Sequence, residues 1–342
     1  MLRELRPARF LLALLLSSMP LVGYLQQANY YTFVVSFMVI PLLDWLVGKD
    51  LSNEPLRDSG QRLRNGYYRA ILYAYVPLQL ALIVWGAAVF ARGELSPAQA
   101  LGLALSVGVV TGAQGITIAH ELGHGRSLFD RLLAQLLLVT VCYGHFYLEH
   151  NRGHHARVAT PDDPASARFG ESFWAFLPRT LAGSYLHAWS IERTRGRMLV
   201  YALLSLASAG ALGAAFGPLA VLFFFVQSAM AVLLLEAVNY VEHYGLRRAR
   251  LADGRYERVT ERHAWDADQA LTNIFLIHLQ RHADHHLNPA RPYQDLQHRP
   301  RTPKLPAGYA AMVPLALVPP LWFAIMNRRI PKQDAPGAAV AG

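Results

Sequence analysis

The 342-residue chain is 53% hydrophobic and only 16% charged, against about 25% charged in ordinary soluble domains; this excludes a water-soluble globular protein and points to the bilayer. A net charge of +9 could suit nucleic acid, but the arginines sit in a few polar stretches between apolar runs, as the positive-inside rule expects. The expected partners are therefore membrane lipids of an anionic leaflet or an acidic protein, with no nucleic acid.

Crossing the hydrocarbon core takes about 20 apolar residues. In chain order the candidate runs are 10–25, 30–48, 70–91, 98–119, 128–148, 198–214, 218–238 and 310–327. The first follows Arg3, Arg6 and Arg9, lacks a small-x-small cleavage pattern before Gln26, and reads as a retained span rather than a signal peptide. An uncharged link, Gln26 to Asn29, leads to the second run. The connection that follows carries Lys49, Arg57, Arg62, Arg64 and Arg69 and reads as cytoplasmic. Ser96-Pro97 looks like an N-cap and first turn for the fourth run. That run ends in HELGH at 120–124, on the cytoplasmic side.

Histidines then decide the topology. HELGH, EHNRGHH (149–155), NYVEHYG (239–245) and RHADHH (281–286) gather nine of the fourteen histidines. If they serve one site, the chain crosses an even number of times between any two clusters. The single run 128–148 is then interfacial or re-entrant, while 198–214 and 218–238 form a hairpin. Run 310–327, broken by Pro314, Pro319 and Pro320, is expected to lie against the cytoplasmic domain. The expected architecture is an all-α polytopic membrane protein with six transmembrane helices. Residues 1–330 form one domain with a cytoplasmic histidine-rich metal site, both termini are cytoplasmic, and 331–342 is a disordered tail. Gly108, Gly112 and Gly115 are spaced for close helix packing, and Thr111, Gln114 and Thr117 beside them could line an interior cavity.

Residues four apart share a helix face. His120/His124, His150/His154 and His282/His286 make three such pairs, each able to grip one ion. His155 and His285 project about 100° away from their neighbours and can complete the same ion or reach a second, and His243 adds a lone ligand. Nine imidazoles supply two ions with four or five ligands each and leave positions open for dioxygen. Imidazole suits zinc, copper, iron and nickel, but zinc normally stops at four ligands, so redox-active iron is favoured. Glu121, Glu149, Glu242 and Asp284 adjoin the histidines and are candidates to orient them; a solvated or capping role suits each as well. His145, His187 and His298 read as locally satisfied, whereas His263 and His278 approach the fourth cluster in sequence. The one cysteine, Cys142, excludes disulfides and thiolate iron sites, so an iron–sulfur or rubredoxin-type electron donor must be another chain.

These boxes resemble those of the membrane-bound fatty-acid desaturase and hydroxylase superfamily. They are more similar to its alkane 1-monooxygenase branch, marked by HELxHK, EHxxGHH, NYxEHYG and LQRHxDHH. Here they stand as HELGHG (120–125), EHNRGHH, NYVEHYG and LQRHADHH (279–286). The stretch RVATPDDPASARFGESFWAFLPRT (157–180) also looks like that branch, and the similarity runs from about residue 40 to 325. Gly125 departs from the pattern, standing where lysine is usual. The resemblance implies a bacterial-type inner-membrane enzyme with a non-haem di-iron centre. Its ligands would be His120, His124, His150, His154, His155, His243, His282, His285 and His286. It would hydroxylate the terminal carbon of medium- or long-chain n-alkanes with O₂ and two electrons from rubredoxin or ferredoxin and its reductase.

Three rivals stand beside this reading. A xylene- or cymene-type methyl hydroxylase, or a fatty-acyl desaturase or hydroxylase, would share the boxes. HELGH alone matches an intramembrane zinc protease, with glutamate as base, but that leaves seven clustered histidines without a role. A metal transporter would place its ligands near the bilayer midplane rather than at helix ends.

Overall fold

The computed structural model describes residues 7–53, 62–192 and 196–331. Its regular elements are helical, and β pairing among the described residues is limited to isolated bridges such as Lys49 with Gln269. A lipid-embedded chain must satisfy its backbone groups internally, and helices do so within each segment.

The first helices are α1 (Ala8–Leu25), α2 (Tyr31–Val47), α3 (Arg62–Ala91) and α4 (Pro97–Gly123). Next come α5 (Leu128–Val139) and a helical segment α6 over 146–157, then α7 (Phe173–Ile191), α8 (Gly196–Phe216) and α9 (Pro218–His243). The chain closes with α10 (Ala270–Phe275), α11 (His282–Leu287), α12 (Tyr309–Ala316) and α13 (Pro319–Met326). Five of these, α1, α3, α4, α8 and α9, are long and apolar enough to cross a membrane. The sixth expected span is α2. Its 17 residues reach about 25 Å, short of the ~30 Å hydrocarbon core, and a π turn at Val35–Val39 interrupts it. The expected tail beyond 331 lies outside the described residues.

Run 128–148 does not form a crossing helix. It is α5, 12 residues long, followed by a turn in which Cys142 takes a left-handed φ of 57°. Leu128, Phe129, Leu132 and Leu136 stay exposed on its outer face, while Ala134, Leu137 and Leu138 face the core. Run 310–327 breaks at Leu317–Val318 into α12 and α13. Trp322 of α13 is buried against Tyr240 and Tyr244 at the foot of α9, with ring centroids 5.1 and 5.3 Å away. No apolar run anticipates α7, because Pro178, Arg179, Thr180 and Ser184 interleave with its aromatics. It packs on α6 and α9.

The centre of the bundle is α4 against α9. Ser96 caps α4 as the sequence predicts, and Gln99 makes the cap a reciprocal capping box. A Cβ on Gly108 would lie 2.5 Å from Met230 Cβ, and one on Gly112 would lie 2.8 Å from the Ala231 backbone. These two glycines therefore let the helices touch. Thr111 donates to Gln227 Oε1 at 2.9 Å, which ties the pair together, and both helices end in histidine.

Candidate metal centre

Four chain segments bring nine imidazoles to one place. α4 ends with His120 and His124, α6 carries His150, His154 and His155, α9 ends with His243, and α11 carries His282, His285 and His286. They sort into two groups, His120–His124–His150–His155–His285 and His154–His243–His282–His286, each with its ligand atoms within 4.8 Å of one another.

The pairing of His150 with His154 does not hold. Residues His150–His154 form a π turn, in which the repeat lengthens to i, i+5. His155 therefore falls on the His150 face, with Nε2 atoms 3.0 Å apart, and His154 turns to the other group. The expected i, i+4 register fails at this one pair. His285 likewise leaves His282 and His286 and joins the five, 3.0 Å from His120 and 3.1 Å from His155. His282 sits 3.2 Å from His243 and 3.0 Å from His286.

This donor set fits cations. Neutral imidazoles repel when their lone pairs converge, and a cation relieves that repulsion. Six Nε2 pairs lie 3.0–3.2 Å apart, close enough for the members of each group to share one ion. Burial, then the neighbouring imidazoles, hold His150, His155, His282, His285 and His286 well below the usual histidine range. Burial brings His124 to about 4. These rings are neutral at pH 7 and ready to ligate. His154 differs: burial opposes its protonation, but the Asp163 carboxylate, 2.9 Å from Nδ1, outweighs that and pushes it up to about 9.

Asp163 is the supporting carboxylate that the sequence reading missed, although it lies within TPDDPAS, a stretch singled out for its resemblance. It also accepts the Ser166 hydroxyl at 2.6 Å and the Ala165 N–H at 3.2 Å. Of the four candidates adjoining the histidines, Glu242 approaches an imidazole of the cluster, with Oε2 3.3 Å from His282 Nε2. Glu121 accepts the Tyr293 backbone N–H at 3.1 Å, and Glu149 lies 3.0 Å from His187 Nδ1. Asp284 binds Arg291 at 2.5 Å and Arg299 at 2.6 Å and so fixes the loop after α11. His263 pairs with Glu257, and His278 lies between Arg9 and the Tyr293 carbonyl; neither belongs to the two groups.

Two pockets border the centre, lined by different histidines. An apolar corridor with a cavity of about 90 Å³ runs between α1, α2, α4, α9, α10 and α12 and is bordered by His120, His150 and His282. An open polar cleft of about 780 Å³ reaches His124 past Arg69, Arg126 and Arg291. Gly125 borders this cleft, and a Cβ there would lie 2.7 Å from Asp130 Oδ2. Asp130 is itself held by Arg69 at 2.9 Å and Tyr73 at 2.5 Å, so a lysine at 125 would displace that contact.

The chain matches the fatty acid desaturase family over residues 95–316. It is 45% identical to alkane 1-monooxygenase 2 of Pseudomonas aeruginosa, over 86% of this chain and 82% of the relative. It is 43% identical to alkane 1-monooxygenase 1 of the same organism, over 94% and 90%. The hydroxylase component of xylene/toluene monooxygenase from Pseudomonas putida is more distant, 26% identical over 94% of this chain and 88% of its own.

Proposed function

The chain belongs to the fatty acid desaturase family and, within it, to the alkane 1-monooxygenases, and from that membership we propose that it hydroxylates the terminal carbon of n-alkanes. The overall reaction is RCH₃ + O₂ + 2e⁻ + 2H⁺ → RCH₂OH + H₂O. The observation that carries this reading is the apolar corridor ending at histidines of both groups. An alkane has no hydrogen-bonding groups and is positioned by shape alone. The corridor accepts a chain from the membrane, excludes water along its length and aims one terminal methyl at the imidazole cluster.

Two irons are the proposed cofactor, one held by His120, His124, His150, His155 and His285 and the other by His154, His243, His282 and His286. When bound they supply the redox chemistry that activates O₂. The residues supply the rest: neutral imidazoles present lone pairs, Asp163 fixes the ring of His154, and the wall of α4 and α9 keeps the chain end in register. Electrons arrive from the aqueous side, where the polar cleft and its arginines suit an acidic donor such as rubredoxin or ferredoxin. The proposed setting is a bacterial inner membrane with six spans. In it α2 is the shortest span, α5 lies at the interface, and the centre and both termini are cytoplasmic, in keeping with the arginine-rich connections.

The test is purified, iron-loaded protein with rubredoxin and its reductase, given C6 to C16 alkanes and ¹⁸O₂. Labelled 1-alkanol supports the reading. Labelled benzyl alcohols from alkyl-aromatics with no alkanol favour the xylene-type alternative, and alkene products favour desaturation.

A further inference from the structure

The π turn at His150–His154 decides which group each histidine of α6 joins. The His155 N–H donates to the His150 carbonyl, five residues back, so His155 shares a face with His150 while His154 joins His243, His282 and His286. The same residues wound as α would put His154 over His150 and turn His155 away. α winding is the default and π turns are rare, so a contact from outside the turn is needed to favour the longer repeat.

A buried pair of side chains makes that contact. Glu149 immediately precedes the turn, and its Oε1 lies 3.0 Å from Nδ1 of His187 on α7. A carboxylate only accepts, so Nδ1 carries the hydrogen. The two side chains are 3% and 11% exposed. They press on the middle of the turn: a Cβ on Gly153 would stand 2.6 Å from Glu149 Oε1 and 2.7 Å from His187 Nδ1. α7 is itself anchored away from the histidines. Thr180 donates to Glu236 Oε2 on α9 at 2.9 Å, and Arg179 donates to the Pro164 and Ser166 carbonyls at 3.0 and 3.1 Å. His187 is therefore a fixed point against which Glu149 and Gly153 are set.

We propose that His187 is a positioning residue for both ions: by holding Glu149 across Gly153 it keeps the turn in its π form, and so divides His150 and His155 from His154. Rewinding to α would carry Gly153 out from under the pair and bring Arg152 or His154 toward it, and each has a Cβ for which there is no space. The proposal rests on the two histidine groups being metal sites. It sets His187 apart from Asp163, which hydrogen-bonds His154 alone among the nine and serves one group, whereas the turn feeds both.

Chelator competition on the full-length, iron-loaded protein tests this, with ⁵⁷Fe Mössbauer spectra to tell the two sites apart. His187→Leu keeps apolar bulk and removes the donor. Both ions should leave it at 10- to 100-fold lower chelator than wild type, the usual cost of losing a supporting partner. His187→Asn, whose amide N–H can stand where Nδ1 does, should recover most of that loss. Glu149→Leu should match His187→Leu, and the double variant should be no worse than either, because contacting residues that act as a unit are not additive. Loss of only one ion in His187→Leu, wild-type retention of both, or no recovery in His187→Asn overturns the positioning role while two-ion binding by the wild type stands. Failure of the wild type to bind two irons overturns the metal reading, and the proposal with it.

Discussion

Replacing Asp163 by asparagine changes one atom and should unload one of the two ions. All three neighbours of this carboxylate donate to it: His154 Nδ1 at 2.9 Å and the Ser166 hydroxyl at 2.6 Å reach Oδ2, and the Ala165 N–H reaches Oδ1 at 3.2 Å. An amide cannot serve all three. With its oxygen toward His154 and Ser166, its NH₂ faces the Ala165 N–H. Reversed, its NH₂ donates to Nδ1, which moves the imidazole proton to Nε2 and blocks the lone pair that would ligate. Loss of such a supporting carboxylate weakens metal binding roughly 10- to 100-fold, about 1.4–2.7 kcal/mol. Competition with a chelator, followed by metal counting, reads this out. One ion should leave the variant at 10- to 100-fold lower chelator than in wild type, while the ion of the five-histidine group stays. Loss of both ions at the wild-type chelator concentration would refute the reasoning, as would retention of both.

Metal uptake should carry a pH signature from His154. In the metal-free protein its pKa is raised to about 9, so its charge stabilises the fold fully below 6.5, and that contribution is lost as pH rises through 9. Below 9 an incoming ion must displace that proton. Affinity of the four-histidine group should therefore rise about tenfold per pH unit from 7 to 9. Calorimetry in two buffers of different ionisation enthalpy should count one released proton; none would contradict the assignment. Gly153→Ala places a Cβ 2.6 Å from Glu149 Oε1 and from His187 Cε1, so it should destabilise by about 1–3 kcal/mol. Adding His187→Ala should restore part of the lost melting temperature. Ala113→Phe intrudes on the corridor seven residues above His120, about 10 Å along the helix, and should cut turnover of dodecane about tenfold or more relative to hexane; product profiles by gas chromatography check it.

Much of this architecture is written in local patterns. Apolar runs locate the long helices, and Ser96-Pro97-Ala98-Gln99 reads directly as a cap because its hydrogen bonds lie within four residues. The four histidine motifs give the nine imidazoles: three sit at or just beyond the end of an apolar run, and the fourth, at 281–286, is read from its own spacing. What escaped the sequence depends on contacts between distant segments or on irregular backbone. The division of His150 from His154 follows from a π turn, which leaves no trace in the i, i+4 spacing. Asp163 reaches His154 through a compact turn whose shape Ser166 and Ala165 set, while Glu121, Glu149 and Asp284 adjoin histidines in sequence yet face Tyr293, His187 and two arginines. α7 was hidden because its face toward α6 and α9 needs only part of its length to be apolar. The corridor is a space between six helices, and no single segment encodes it.

The central claim is that nine histidines hold two ions at the end of an apolar corridor. Iron quantification joined to ⁵⁷Fe Mössbauer spectroscopy on purified, reconstituted protein tests it most directly. The account predicts two irons per chain in nitrogen-rich environments, with one of the two lost in Asp163→Asn. A single ion per chain, or tetrahedral zinc in place of iron, would contradict it.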